Sequence, residues 1–412
     1  MTDATFKDNL VSWIIEQGLD DTRYPALISE LGRRLIAGGI PVNRISIGGM
    51  LLHPVLGAND IVWESKLDEV RVQKAPRQIF QSEDFKNAPF FHAVLHQEHF
   101  IRYRLEEGPC EPEFPIFEKF RAAGMTDYLT YYFFYGNKDK AIWANLPPGI
   151  EGIAMSFSTR RIGGFADDEL DLINAISAPL ALTAKLINTH ELSRTILDSY
   201  LGTYSGGMVL DGAIERGDGR LIDCILWYCD LRQSTALADK LPLVDFLQML
   251  NVYFDATAGA VIEHGGEVLR YIGDAVFAIF PYEEGTRPPK AMARAAVATA
   301  REAMARVEQR NKTRIENGDE PIRFGISLHT GQVMYGNIGT DERLEFSVIG
   351  PAANEVVRLE SLCKVTGTPL VASADFKVVS GDHMISLGTH DAAGVEGGLE
   401  AFTFADFVPD ET

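Results

Sequence analysis

The residues best suited to chemistry in this chain are carboxylates at points where the backbone turns. Asp230 closes a strongly apolar run, residues 224–229 (CILWYC), and Asp274 sits in the tight Gly273-Asp274 connection between two strand-like runs, residues 268–272 and 275–280. One aspartate in such a place is ordinary turn chemistry. Two at the same end of a sheet repel each other and call for a cation, and two magnesium ions bridging both carboxylates to a triphosphate would meet that demand. The segment after Asp230, Leu231-Arg232-Gln233-Ser234-Thr235, leads toward a helix. Its backbone N–H groups offer phosphate oxygens a cradle that needs no side-chain cation. A second pair, Asn354 and Arg358, is four apart in a helical pattern and shares one face. Alone that pattern is a solvated helix face. Here Ile349-Gly350-Pro351 aims the helix start, and an amide beside a guanidinium can hold a ribose and stabilise charge on a phosphate in transfer.

The elements that must position these residues follow a definite order. Residues 224–229 read as a buried strand and residues 243–262 as a helix with Phe246, Leu247, Leu250, Phe254 and Val261 on its apolar face. The hairpin around Asp274 comes next, then an alanine-rich helix at 290–309, strands at 322–328, 332–335 and 344–349, and a helix at 351–362. Strand, helix, hairpin, helix, strand is the βαββαβ core of a ferredoxin-like palm, an α/β (α+β) fold. In it the first strand's end and the hairpin tip are neighbours.

Five segments in this half resemble class III adenylate/guanylate cyclases. They are residues 229–235 (CDLRQST), 264–267 (HGGE), 270–275 (RYIGDA), 335–339 (YGNIG) and 344–350 (LEFSVIG), the last running into Asn354 and Arg358. Each is weak alone; together they keep the family's order and spacing. The resemblance implies head-to-tail palms that share two active sites, hence a homodimer. It assigns Asp230, Leu231 and Asp274 to two Mg²⁺ or Mn²⁺ ions per site, and residues 231–235 with Gly273 to the substrate phosphates. From the partner subunit it takes Arg270 and Ser347 as base readers, Asn354 as the ribose contact and Arg358 as the transition-state cation. The implied reaction is attack of the ribose 3′-oxygen on the α-phosphorus, with pyrophosphate leaving. ATP is the expected substrate: Arg270 can donate to adenine N1 and Ser347 can accept from the amino group, whereas guanine carries a proton on N1.

The chain departs from the family at three places. Arg270 stands where adenylate cyclases usually carry lysine, and Ser347 where they carry Asp or Thr. No Lys or Arg follows Lys377, so a lysine that some relatives bring to the triphosphate has no counterpart. Arg232 and Arg343 are candidate substitutes. Four alternatives stay open: a weak or inactive cyclase-homology regulator, a guanylate cyclase, a diguanylate cyclase and a non-enzymatic interaction protein. Against the diguanylate cyclase, Val268 follows Gly265-Gly266-Glu267 where that family has another acidic residue.

The first half reads as mixed α/β, with an amphipathic helix at 24–37, strands at 42–52, 60–64 and 152–160, and a Phe/Tyr/His-rich stretch at 85–135. The strand at 152–160, Gly163-Gly164-Phe165 and the acidic helix start at Asp167-Asp168-Glu169 resemble a GAF-type sensor domain. The expected division is a GAF-like sensor at 1–166, a helical linker at 167–201 with Pro179 inside it, and the cyclase domain at 202–408. The linker's apolar stripe fits either packing on its own domain or a dimer seam. The sensor's signal, a small molecule or a protein, is not legible. His92, His96 and His99 invite a metal or haem reading, though satisfied or solvated histidines account for them more simply.

Composition narrows the classes. The 412 residues suit two domains, and a formal charge of -20 leaves no basic face for nucleic acid. Four cysteines without metal-ligand spacing point to reduced thiols, and the polar start MTDATFKDNL is unlike a signal peptide. No apolar run is long enough for a membrane span, so a cytoplasmic protein is expected.

Overall fold

The central strands of both sheets are continuous buried runs, because both of their faces are covered. A computed structural model describes residues 4–20, 22–50, 56–136, 146, 150–391 and 397–408. Contacts divide the chain into two units, Met1–Ile196 and Leu197–Thr412.

In the first unit, α1 (Ala4–Leu19) and α2 (Tyr24–Ala37) lead into β1 (Arg44–Met50), β2 (Leu56–Glu64) and β3 (Glu69–Pro76). Three short helices follow, α3 (Glu83–Lys86), α4 (Pro89–Leu95) and, after β4 (Phe100–Arg104), α5 (Pro115–Ala122). β5 (Asp127–Phe134), β6 (Gly152–Thr159) and α6 (Asp167–Leu201) complete the elements that begin in this unit, α6 running on past Ile196 into the second. The antiparallel sheet has the order β3-β2-β1-β6-β5-β4. Ile45, Ile47, Ile61, Trp63, Ile153 and Phe157 point to one face and are buried against α1, α2 and the first half of α6. A Cβ on Gly32 of α2 would sit 2.5 Å from the Trp63 ring, so that close approach needs a glycine. Of the two readings of the 167–201 stripe, packing on its own unit holds for Leu172, Ile173, Ile176, Leu180 and Ile187, which are core residues. Leu182, Leu186 and Ile196 stay exposed. Against the expectation that no run is long enough for a membrane span, α6 is long and apolar enough by length and composition, and half of its most apolar window is buried inside the protein. Of the strand expected at 42–52, residues 44–50 form β1, while 51 and 52 lie outside the described residues.

In the second unit, α7 (Thr203–Leu210) precedes β7 (Gly219–Leu231), α8 (Ser234–Lys240), α9 (Leu243–Glu263), β8 (Glu267–Ile272), β9 (Ala275–Pro281) and α10 (Pro289–Glu316). Then come β10 (Phe324–Thr340), β11 (Arg343–Ile349), α11 (Pro351–Thr366), β12 (Leu370–Ser373), α12 (Ala374–Ser380), β13 (Ile385–His390) and β14 (Leu399–Thr403). The sheet runs β13-β14-β12-β10-β7-β9-β8, with β11 paired to β10. β7 is central and buried on both faces: Ile225, Trp227 and Cys229 join one core, and Cys224, Leu226 and Tyr228 another. The two strands expected at 322–328 and 332–335 are one, β10, because its residues stay in register with β7 from Phe324↔Leu231 to Gly336↔Gly219 and leave no break at Gly331.

Candidate active site

Register brings the two aspartates together. β7 pairs with β9 as far as Cys229↔Val276, so Asp230 lies beside the start of β9 and the turn that holds Asp274. That turn is tight because Gly273 takes φ +64, a conformation glycine adopts without strain. The carboxyl groups of Asp230 and Asp274 are within hydrogen-bonding reach, and Asp230 is pushed up to about 6 by burial first, then by the Asp274 charge. Glu360 of α11 lies in the same field and is pushed up to about 7, chiefly by burial. It forms a 2.7 Å ion pair with Arg232, its own side chain only 6% exposed.

Two hard-oxygen donors forced together and partly neutralised by protonation are a fitting seat for a divalent cation. The Leu231 N–H already donates to the Asp230 carboxylate, which leaves its carbonyl as a further oxygen. The expected phosphate cradle is narrower than 231–235. The Arg232 N–H donates to the Arg323 carbonyl at 2.7 Å, and the Arg232 guanidinium is held by Glu360. Gln233 takes the left-handed φ +59 at the start of α8, and Ser234 and Thr235 form its first turn, where helical N–H groups lack intrahelical partners.

Burial that raises Asp230 and Glu360 also has a sign in stability. Between about 4 and 6 for Asp230, and between about 4.5 and 7 for Glu360, the folded chain holds more protons than the unfolded chain. Stability of the metal-free protein therefore falls as pH rises through that window. Melting temperatures from pH 4.5 to 7.5 should drop more steeply for the natural chain than for Asp230→Asn, and Mg²⁺ should raise the melting temperature more at pH 7.5 than at 5.5. Equal slopes with and without the substitution would show that Asp230 does not titrate in this range.

The base-reading pair also meets. Arg270 of β8 donates through Nη2 to Ser347 Oγ of β11, residues 77 apart in sequence. Glu345, two positions before Ser347 and on the same strand face, pairs with Arg270 at 2.7 Å. The sequence reading missed Glu345, although period-two alternation with Ser347 was available to find it. Asn354 is exposed and Arg358 half-buried on α11, four apart, and among the described residues neither side chain has a hydrogen-bond or ion-pair partner. Arg343, the other substitute cation considered, is exposed at the start of β11.

Elsewhere, the His92 and His96 rings lie 4.2 Å apart between centroids, tilted by 47°, and His99 Nδ1 lies 3.1 Å from the Tyr132 carbonyl oxygen. A cluster the sequence did not suggest, His329, Glu355 and Asp375, has its ligand atoms within 4.8 Å of one another. There the His329 Nδ1 is already 2.8 Å from the Ser373 hydroxyl, which also caps α12.

Residues 220–400 match the family model of the adenylate and guanylate cyclase catalytic domain. Over most of its length the second unit is thus similar to adenylate and guanylate cyclase catalytic domains. The chain is 30% identical over 155 residues to an adenylate cyclase of Anabaena cylindrica, which covers 37% of this chain and 30% of that protein. It is 30% identical over 149 residues to adenylate cyclase 1 of Rhizobium meliloti, covering 35% and 22%. An uncharacterised protein of Mycobacterium tuberculosis is 32% identical over 148 residues, covering 36% and 26%. The chain therefore spans less than a third of the length of these relatives. Among solved structures, a bacterial light-regulated adenylyl cyclase is 26% identical with TM-score 0.40, covering 46% of this chain and 93% of that one. A guanylyl cyclase is 26% identical with TM-score 0.39, covering 45% and 92%.

Proposed function

We propose that the second unit is an adenylate cyclase that converts ATP to 3′,5′-cyclic AMP and pyrophosphate at sites shared by a homodimer. The observation that carries this reading is the meeting of Arg270 with Ser347, a donor and a hydroxyl acceptor held side by side. Asp230, Asp274 and the Leu231 carbonyl would hold two Mg²⁺ or Mn²⁺ ions. When bound, these ions activate the ribose 3′-oxygen and neutralise triphosphate charge.

The chain's own groups supply the rest. Arg270 donates to adenine N1 and Ser347 accepts from the amino group. Asn354 hydrogen-bonds the ribose and fixes the 3′-oxygen in line with the α-phosphorus. The 3′-oxygen bonds to that phosphorus as the bond to the β-phosphate oxygen breaks, and the hydroxyl proton passes to solvent. Arg358 stabilises charge on the phosphate in transfer. The N–H groups of Gln233, Ser234, Thr235 and Gly273 meet phosphate oxygens.

Glu345 favours a second reading, a guanylate cyclase, since a carboxylate can accept from guanine N1–H and its amino group. Its ion pair with Arg270 argues that it orients the arginine instead. Purified protein assayed with ATP or GTP decides between them. We expect kcat/KM for ATP to exceed that for GTP by roughly tenfold or more, because a site built to hydrogen-bond one base leaves a buried group unpaired with the other. Equal turnover would remove Arg270 and Ser347 as base readers, and no turnover of either would favour a cyclase-homology regulator whose Arg232 is locked away from phosphate.

The first unit, in this reading, is a GAF-like sensor of a cytoplasmic protein and sets the cyclase rate through a two-state change in α6. Deleting residues 1–165 should alter the basal rate. An unchanged rate in every condition would reduce the first unit to a tether.

A further inference from the structure

On the face of the first unit's sheet that turns away from α1, α2 and α6, two small cores, one around Phe85 and Tyr132 and one around Phe117 and Tyr128, flank a stretch built unlike a core. The opposite face carries Ile45, Ile47, Ile61, Ile153 and Phe157, large and buried. Within that stretch the alternate positions of β1, β2, β5 and β6 include a run of small or polar residues, Ser46 and Gly48, Ala58, Thr130, Ala154 and Ser156, with the larger Tyr128 and Tyr132 at its edge. Over this floor Phe85, Phe90, Ile116 and Phe120 form a wall, and a cavity of about 410 Å³ remains between them. Protein interiors leave few voids larger than a water molecule, and volumes of this size are characteristic of small-molecule sites.

The charges in the cavity are also unlike a core's. Arg44 Nη1 donates to Ser156 Oγ at 3.2 Å, and its guanidinium carbon lies 5.3 Å from the Phe120 ring centroid. Asp60 accepts from Ser46 Oγ at 2.6 Å. Ser46 and Ser156 are direct cross-strand partners, so the guanidinium and the carboxylate approach one serine pair from its two sides. Among the described residues neither charge has an ion-pair partner, and they do not pair with each other. Tyr128 lies beside them and hydrogen-bonds Ser156 and Thr130. Half-buried opposite charges held apart in a mostly apolar cavity are costly unless something completes them.

We propose that this cavity binds a small amphipathic molecule: a flat aromatic or heteroaromatic body with an anionic group for Arg44 and an amino or ring N–H donor for Asp60. The rings of Phe120 and Phe90 cover the apolar body, and the floor of glycine, alanine and serine leaves room for it. Direct binding, not turnover, tests this, so its outcome is separate from that of the cyclase reading.

The full chain is titrated with 4-aminobenzoate, benzoate and aniline by calorimetry and ligand-detected NMR. Saturable binding of one 4-aminobenzoate per chain, tighter than either single-group probe, is expected. Arg44→Ala should weaken both carboxylates roughly tenfold or more and leave aniline within about threefold, as loss of a charge-assisted hydrogen bond requires. Asp60→Asn should weaken the two amines and spare benzoate. Ala154→Trp, which fills the floor, should abolish all three; if it does not fold, the selective pattern of Arg44→Ala and Asp60→Asn decides. No saturation by any probe below about 10 mM, equal weakening of all three by Arg44→Ala, or full binding in folded Ala154→Trp would each overturn the proposal.

Discussion

Asp230→Ala and Asp274→Ala are each expected to lower nucleotide cyclisation by roughly two orders of magnitude or more, about 2.7 kcal/mol of barrier, without loss of fold. The first half of that expectation follows from the donor set: removing either carboxylate removes a ligand from the seat for the ions that activate the nucleophile and clamp the phosphates. The second follows from the electrostatics of the metal-free chain. Asp230 is held up to about 6 by burial and by Asp274, so the pair is a repulsive contact. Deleting one member relieves the other, and the melting temperature without metal should hold or rise. The combination separates a ligand role from a structural one, because a carboxylate that held the fold together would lose activity and stability at once. Calorimetric Mg²⁺ or Mn²⁺ titration should lose its signal in step with activity. Retention of more than about a tenth of the rate, or a clear fall in melting temperature, would remove these residues from the metal seat.

What could be read from the sequence and what could not divides along contact range. Asp230 and Asp274 were legible as a pair because one hairpin and one strand register place them, and both announce themselves in local pattern: an apolar run ending in Asp, and a Gly-Asp turn. Arg270 and Ser347 came only through resemblance, since nothing local links β8 to β11. Glu360 was missed for the same reason. Its partner Arg232 is 128 positions earlier, and its helix face shows no pattern that distinguishes it from Glu355. That pairing matters, for it occupies the arginine the sequence offered as a phosphate grip. In the first unit the amphipathic α2 was plain, and α1 was passed over because its apolar positions give little periodic contrast. The cavity floor was written in alternation, Ser46 and Gly48 against Ile45 and Ile47, but its walls come from short aromatic helices that look like core in one dimension. Volume left unfilled is a property of packing, and no sequence pattern encodes it directly.

Mixing two inactive variants tests how the halves of the site are shared. Within one chain Asp230 and Asp274 interact with each other and with Glu360 and Arg232, and among the described residues no hydrogen bond or ion pair joins them to Arg270, Ser347, Asn354 or Arg358. If the two groups serve one nucleotide from different subunits, an Asp274→Ala homodimer lacks the metal seat at both sites, and an Asn354→Ala homodimer lacks the ribose contact at both. Subunit exchange between them makes heterodimers in which one site carries both lesions and the other carries neither. In an equal mixture half the dimers are of that kind, and each has one intact site of two, so activity should climb toward roughly a quarter of the natural rate. Asp230→Ala mixed with Asp274→Ala should stay inactive, because both lesions fall on the same half and every site keeps one. Exchange itself is followed independently by mass spectrometry of differently tagged chains. No rescue in the first mixture after proven exchange would place all of these residues in a site made by one subunit, and rescue in the second would place Asp230 and Asp274 on opposite halves of a shared site; either result overturns the proposed arrangement.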